Sequence, residues 1–301
     1  MSSFTIFVLC HNRQEFTRQT LRSILGQKDA DFELVVSDNS SNDEVGDMVR
    51  TEFPQVDYRR RLPMLKQLEH FNRCIDEAQT DYFCLFHDDD LMHPDFVQRT
   101  RAVLDSRPEA IACGCNALLE SFGKIEPRTS FRSLGELESI GSPRNLARRY
   151  FSRAQSGIAP FPGYVYRCSS VGQVRLPLEG GKYSDVTWLL NLAMKAPMVW
   201  ISAPLMTYRM HGGNDGSVES LRDRLRFLGF LKQHRSRLGK DLLADYRCSF
   251  IYKPMTARGT TSPARRDLAL KFLRHYGWSR YANLNLYGAL LRRAIIKRVA
   301  E

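Results

Sequence analysis

Three consecutive carboxylates, Asp88, Asp89 and Asp90, follow His87 at the end of the apolar run Tyr82-Phe-Cys-Leu-Phe86. Adjacent carboxylates repel one another, and a divalent cation that prefers oxygen ligands, such as Mg2+ or Mn2+, relieves that repulsion best. Such an ion can neutralise charge developing on a leaving diphosphate. The same run also suits a solvated turn or the first turn of a helix, where the helix dipole favours acids. The four residues alone leave both readings open.

Two other polar clusters follow strand-like runs. Cys10-His-Asn-Arg13 comes after Phe4 to Leu9, and Asp38-Asn-Ser-Ser41 comes after Phe32 to Ser37. Between them Glu15 to Leu25 places Phe16, Leu21, Ile24 and Leu25 on one helical face, and Pro63 to Ala78 does the same with Leu65, Leu68, Phe71 and Ile75, Pro63 suiting a first helical turn. Strands alternating with amphipathic helices predict an α/β fold with a mostly parallel sheet covered by helices. Ligands collect beyond the carboxyl ends of the strands in such sheets, so the three polar clusters are expected to converge. After about Pro127 the pattern loosens into polar, Gly- and Pro-containing stretches. It resumes with a helix over Ser184 to Ala196 and strands over Met198 to Ile201 and Leu205 to Met210. From Leu221 the chain reads as basic helices broken by a loop from Thr256 to Pro263. Gly180-Gly181 and Gly212-Gly213 read as turns.

A chain of 301 residues can bury one sizeable core with a smaller appendage, and 43% hydrophobic with 26% charged residues is ordinarily globular. The net charge of +11 is not spread evenly. Residues 217 to 301 carry 19 Lys or Arg against 6 Asp or Glu, which leaves the first 216 residues close to neutral. The predicted boundary therefore divides a catalytic domain, 1–215, from a basic helical extension, 216–301. Seven cysteines, odd in number and mostly in apolar runs, read as reduced buried thiols of a cytoplasmic protein. Cys113-Gly-Cys115 lacks the spacing of a zinc or redox pair, and a strand would put both thiols on one face. The expectation is a protein without a signal peptide or membrane span, at most peripheral on the inner membrane face.

The order and spacing of these clusters resemble the family 2 glycosyltransferases of the GT-A fold, over roughly residues 4 to 211. The likeness rests on the turn ending Asn12-Arg13, on Leu21-Arg-Ser-Ile-Leu-Gly-Gln27, and on Val35-Val-Ser-Asp38 with its Ser- and Asp-rich turn. It continues with Asn72, with Asp88-Asp-Asp-Leu-Met-His-Pro94, and with Tyr208-Arg-Met-His211. Independent local signals agree. The resemblance implies that Cys10, His11, Asn12, Arg13, Asp38 and Asp88 contact the nucleotide-sugar donor. It further implies that Asp89, with Asp90 and His211, serves the metal. His87 stands where many members carry another Asp; it could add a ligand, but a structural role is the first expectation for it. Read from the residue types alone, Asp38 could equally be a turn residue bonding its own backbone.

An inverting transfer needs a carboxylate to take the acceptor proton. By resemblance this is Asp185, which opens the helix bearing Trp188, Leu189 and Leu192; from position alone it could be an acid favoured in a first helical turn. The expected activity is transfer of a sugar from a nucleoside diphosphate, UDP by default, to a hydroxyl of a glycan or lipid-linked acceptor in surface polysaccharide assembly. Tyr287 to Val299 has cationic and apolar residues at helical spacing. It suits an anionic membrane surface, packing on the catalytic domain or homo-oligomerisation. A nucleotidyltransferase would carry a Gly-rich basic phosphate loop after the first strand, where Cys10-His-Asn-Arg13 stands. A nucleic-acid-binding tail would interleave aromatic residues with the charge, so no nucleic-acid partner is expected.

Overall fold

The computed structural model describes residues 3–151, 157–178, 181–212, 220–243, 246 and 267. The basic stretch Tyr287 to Val299, the Thr256 to Pro263 loop and Cys248 lie outside the described residues.

In chain order the elements are β1 (Phe4–Cys10), α1 (Gln14–Leu25), β2 (Glu33–Asp38), α2 (Glu44–Glu52), β3 (Asp57–Arg60), α3 (Gln67–Glu77) and β4 (Tyr82–His87). There follow β5 (Leu91–Met92), α4 (Phe96–Ser106), β6 (Ala112–Ser121), β7 (Lys124–Thr129), β8 (Leu137–Ile140), α5 (Pro143–Phe151) and β9 (Tyr164–Arg167). The last are α6 (Cys168–Val171), α7 (Ser184–Ala193), β10 (Met198–Met210), α8 (Leu221–Gln233) and α9 (Arg235–Leu238). The described strands form one sheet in the order β3-β2-β1-β4-β9-β6-β10-β5, with β7 beside β6 and β8 beside β10.

The pairs β3/β2, β2/β1 and β1/β4 are parallel. β9 runs antiparallel to both β4 and β6, and β6 and β10 are parallel. β10 therefore points the same way as β1, β2 and β4. Its carboxyl end, before His211, lies on the same edge of the sheet as Arg13, Asp38 and Asp88.

Helices cover both faces, and the strands alternate between two cores. On β1, Phe7 and Leu9 face a cluster that includes Cys74, Trp188 and Trp200. Phe4, Ile6, Val8 and Cys10 face the cluster of Leu21, Ile24, Phe86 and Phe96. Cys113 and Cys115 both lie in that second core, as strand alternation requires. The six described cysteines are free thiols, five of them buried. Phe227, Leu228 and Leu231 of α8 and Leu238 of α9 join the first core. The described part of the basic extension thus joins that core through its apolar residues, against α5 and the turn before α7. Among the described residues no helix is long and apolar enough to cross a membrane.

Two local expectations are corrected. The helix expected from Pro63 begins at Gln67, because Asn39 holds the preceding segment extended: its side-chain amide donates to the Leu65 carbonyl (2.9 Å) and accepts the Leu65 N–H (2.8 Å). The two strands expected over 198–210 are one, β10, whose register shifts around Pro204, a residue with no N–H to give to the ladder. Beyond these, β3 escapes hydrophobic patterning, since it is the sheet edge and has no fully buried residue, whereas α2 buries Val45, Met48 and Val49 at helical spacing.

Candidate active site

The turn after β1 is built around Asn12, whose backbone adopts φ 55°. Its N–H donates to Ser40 Oγ (2.8 Å), and its side-chain oxygen accepts the Ser41 N–H (2.8 Å). His11 Nδ1 donates to the Asn39 carbonyl (2.8 Å). These bonds lock the turns after β1 and β2 together. Cys10 sends its buried thiol into the core, and its carbonyl accepts the Asn39 N–H (3.0 Å). Within this turn, the side chains of His11, Asn12 and Arg13 remain on the site side.

Asp38 is fully buried and its oxygens are engaged. Oδ1 accepts the Ser40 N–H (2.9 Å), and Oδ2 accepts from Tyr58 Oη (2.7 Å) and Arg60 Nη1 (2.6 Å). Arg60 is the cross-strand partner of Asp38 in the β2/β3 register. Sequence reading passed over this arginine because β3 itself was not recognised; the run Arg59-Arg60-Arg61 is its only signal.

The acidic run closes β4 and is almost wholly buried, at 1%, 4% and 0% exposure for Asp88, Asp89 and Asp90. Asp88 accepts the His11 N–H (2.9 Å) and an Arg13 bond (3.0 Å), and the same Arg13 nitrogen donates to Asp89 (3.0 Å). His211 Nε2 also donates to Asp89 (3.0 Å). The Arg209 N–H donates to Asp90 (2.9 Å), and its guanidinium reaches the Asp89 carbonyl and Gln19. The Thr20 hydroxyl lies 2.9 and 2.7 Å from the carbonyl oxygens of Asp88 and Asp90. Phe16 is sandwiched between the His211 ring (4.5 Å) and the Arg209 guanidinium (4.8 Å). Thr20, Gln19 and Arg209 are parts of the site that patterning did not select. Arg209 was legible beside His211, while the two on α1 carried no signal distinct from an ordinary helix surface.

Burial pushes the Asp88 carboxyl up to about 6 against the pull of Arg13 and the His11 N–H. Burial and the Asp89 charge hold Asp90 well above the usual carboxylate range, although the Arg209 N–H and charge oppose them. Asp90 Oδ2 is buried with no hydrogen-bond partner. A carboxylate oxygen left so costs free energy unless a cation faces it. Among the described residues, one donor atom each from His87, Asp89 and Asp90 lie within 4.8 Å of one another. Two ligands on opposite sides of one ion, each at about 2.1 Å, span about 4.2 Å, so side-chain shifts of a few tenths of an ångström gather these three donors on one divalent ion. The expected set was Asp89, Asp90 and His211. In the structure His211 touches Asp89, and His87 joins the cluster.

Asp185 opens α7 and is half-buried, its Oδ1 accepting its neighbour Val186 N–H (2.8 Å). Burial raises its carboxyl to about 6. It is not hydrogen-bonded to the acidic run. Tyr208 nevertheless feels both: burial first, then the charges of Asp90, Asp89 and Asp185, push this phenol to about 12. The turn before α7 is braced by α8. Tyr183 stacks on Phe227 (4.8 Å), and Gly181, at φ 62°, leaves no room for a β-carbon beside Asp223. Burial opposes the charge of Asp223, yet Ser220 and the Lys182 N–H hold its pKa below the ordinary range. Asn72 fixes the segment ahead of this turn by a reciprocal pair with the Leu176 main chain (2.9 and 2.8 Å).

A mostly parallel sheet between helices, with its strand ends gathered on a buried acidic cluster, is the plan of a GT-A glycosyltransferase. The model of the family described as Glycosyl transferase family 2 matches residues 5–168. The chain belongs to that family. The abequosyltransferase RfbV of Salmonella typhimurium is 30% identical over 176 residues, which are 54% of this chain and 47% of that protein. The alignment thus spans about half the length of this curated relative. The S. aureus TarS 1-349 structure aligns with TM-score 0.63 at 14% identity, covering 90% of this chain and 79% of TarS 1-349. The mannosyltransferase PcManGT from Pyrobaculum calidifontis, solved with GDP-Man and Mn2+, aligns with TM-score 0.51 at 16% identity, covering 98% and 86%. At these identities the solved structures support the fold.

Proposed function

We propose that this chain is an inverting, metal-dependent glycosyltransferase that moves a sugar from a nucleoside diphosphate to a hydroxyl of a glycan or lipid-linked acceptor. The observation that carries the reading is the buried, unpartnered Asp90 Oδ2 within a cluster reached from the ends of β1, β4 and β10. Asp185 takes the proton of the attacking hydroxyl, whose oxygen bonds to the anomeric carbon while the bond to the diphosphate breaks and its electron pair leaves on phosphate. Asp89 and Asp90, with a histidine, would hold Mg2+ or Mn2+, which when bound supplies positive charge to the departing diphosphate. Asp88, His11, Asn12 and Arg13 line the donor side. Asp38, with Tyr58 and Arg60, forms its nucleoside end, and the Cys10 backbone supports the turn.

The abequosyltransferase relative favours surface polysaccharide assembly, and the GDP-Man and Mn2+ held by PcManGT make Mn2+ the first ion to test. We place the enzyme in the cytoplasm, with the basic segment 217–301 available to the anionic inner face of the membrane. The test is a screen of nucleotide sugars for metal-dependent turnover. Release of a nucleoside diphosphate is expected; release of pyrophosphate from a nucleoside triphosphate would overturn the reading in favour of nucleotidyl transfer. In the same assay Asp185→Asn should lose roughly a hundredfold to ten-thousandfold in turnover with donor binding kept. Near-normal turnover would remove Asp185 as the base.

A further inference from the structure

His87 ends β4, and the turn at 88–89 that follows folds Asp89 and Asp90 back toward it, bringing the three donor atoms within 4.8 Å of one another. The imidazole is steered by aromatic neighbours. Phe71 of α3 lies 6.0 Å from it and Phe161 lies 5.9 Å from it, both tilted against its plane, and those two rings stack on one another at 5.9 Å. Asp90, with no exposure and an unpartnered Oδ2, supplies the second, independent sign that this cluster faces a cation.

We propose that His87 is a nitrogen ligand of the divalent ion and that it biases this site toward Mn2+ and the later first-row ions over Mg2+. The proposal rests on the metal-dependent reading above and adds to it the identity of a ligand and the class of ion. Mg2+ is a hard ion that favours oxygen donors and dehydrates reluctantly, whereas an imidazole suits transition ions, with affinity rising from Mn2+ toward Cu2+. An all-carboxylate cluster would leave the choice between Mg2+ and Mn2+ to their supply. Exchanging one oxygen donor for an imidazole shifts it. His211 has a different part: its Nε2 donates to Asp89, and its ring lies on Phe16, so it orients the carboxylate that faces the ion.

The experiment uses the full chain, without donor or acceptor. Mn2+ binding is titrated by the loss of the free-ion electron paramagnetic resonance signal, and 14N modulation of the bound Mn2+ spin echo then reports directly coordinated imidazole. Mg2+ is added in competition. The wild-type protein should bind Mn2+ with 14N modulation. His87→Asp should still bind Mn2+, lose the modulation, and release Mn2+ at a Mg2+ concentration lower by roughly tenfold or more. His211→Asn should keep the modulation. His87→Gln, of similar size, serves as a second variant if the added carboxylate prevents folding, and it too should lose the modulation. Modulation that survives in the His87 variants, modulation lost in His211→Asn, or a wild-type protein that binds no Mn2+ would each overturn the assignment. The readout is independent of sugar transfer. A chain that binds Mn2+ through His87 yet transfers no sugar would refute the functional reading and leave this one standing.

Discussion

Burial holds the Asp185 carboxyl at about 6 in the folded protein, against an ordinary value of 3.8, and that difference sets the size of a stability change. The folded state keeps its proton where the unfolded chain has already lost it. Stability therefore falls as pH rises from about 3.8 to about 6, and the full cost is present above that window. At about 1.4 kcal/mol per pH unit, the ionised carboxylate costs up to about 3 kcal/mol at pH 7.5 and a little over half of that at pH 5. Asp185→Asn removes the charge, and its amide oxygen can still accept the Val186 N–H. The variant should therefore be more stable at pH 7.5, by up to about 3 kcal/mol, or roughly 5 °C or more in melting temperature. The gain should shrink by nearly half at pH 5. Wild-type kcat/KM should rise with pH through about 6 and fall about tenfold for each unit below it, because the base must be ionised to act. Thermal melts at both pH values and a pH-rate profile read these effects. A variant less stable than wild type at pH 7.5, or a gain that does not shrink on acidification, would refute the reasoning.

Other outcomes follow from contacts around the site. Gly181→Ala puts a side chain into a left-handed backbone beside Asp223, costing roughly 1 to 3 kcal/mol, and should lower kcat more than it raises donor KM; adding Asp223→Ala should recover the steric part but not the backbone part. Arg60→Ala strands the buried Asp38 carboxylate and should lower the urea midpoint by an equivalent of about 3 kcal/mol, while pairing it with Asp38→Asn should restore much of the loss. Asn72→Ala deletes two bonds to the Leu176 main chain, at about 1 kcal/mol each, and should speed hydrogen exchange at 174–178 while β1 and β4 stay protected.

The parallel half of the sheet was legible because β1, β2 and β4 are buried over nearly their whole length and read as largely apolar runs, each ending in a polar cluster. Asp88 to Asp90 and His211 could be placed on one side because the family pattern fixes their order. What the sequence left dark depends on pairing between distant segments. Arg60 matters through its register with Asp38, and β3 is too polar and too exposed to announce itself. The Phe16 sandwich requires knowing that α1 runs beside the end of β10. Residues that serve the site through their main chain, such as Leu176, have no side-chain signature at all. His87 was visible as a departure from the family pattern, but its clustering with Asp89 and Asp90 emerged only from the turn geometry.

The bracing of the turn at 181–183 by α8 bears on how such enzymes can be recombined. The family match ends at residue 168; a chimera joined there keeps α7 and α8 from one parent, whereas one joined between residues 194 and 220 would set one parent's α7 against the other's α8. The Phe227 ring and the Asp223 carboxylate would then meet a foreign turn in place of Tyr183 and Gly181. Grafts that exchange residues 172–238 as one cassette carry both halves of that contact together. They should give active hybrids more often than grafts that cut between α7 and α8.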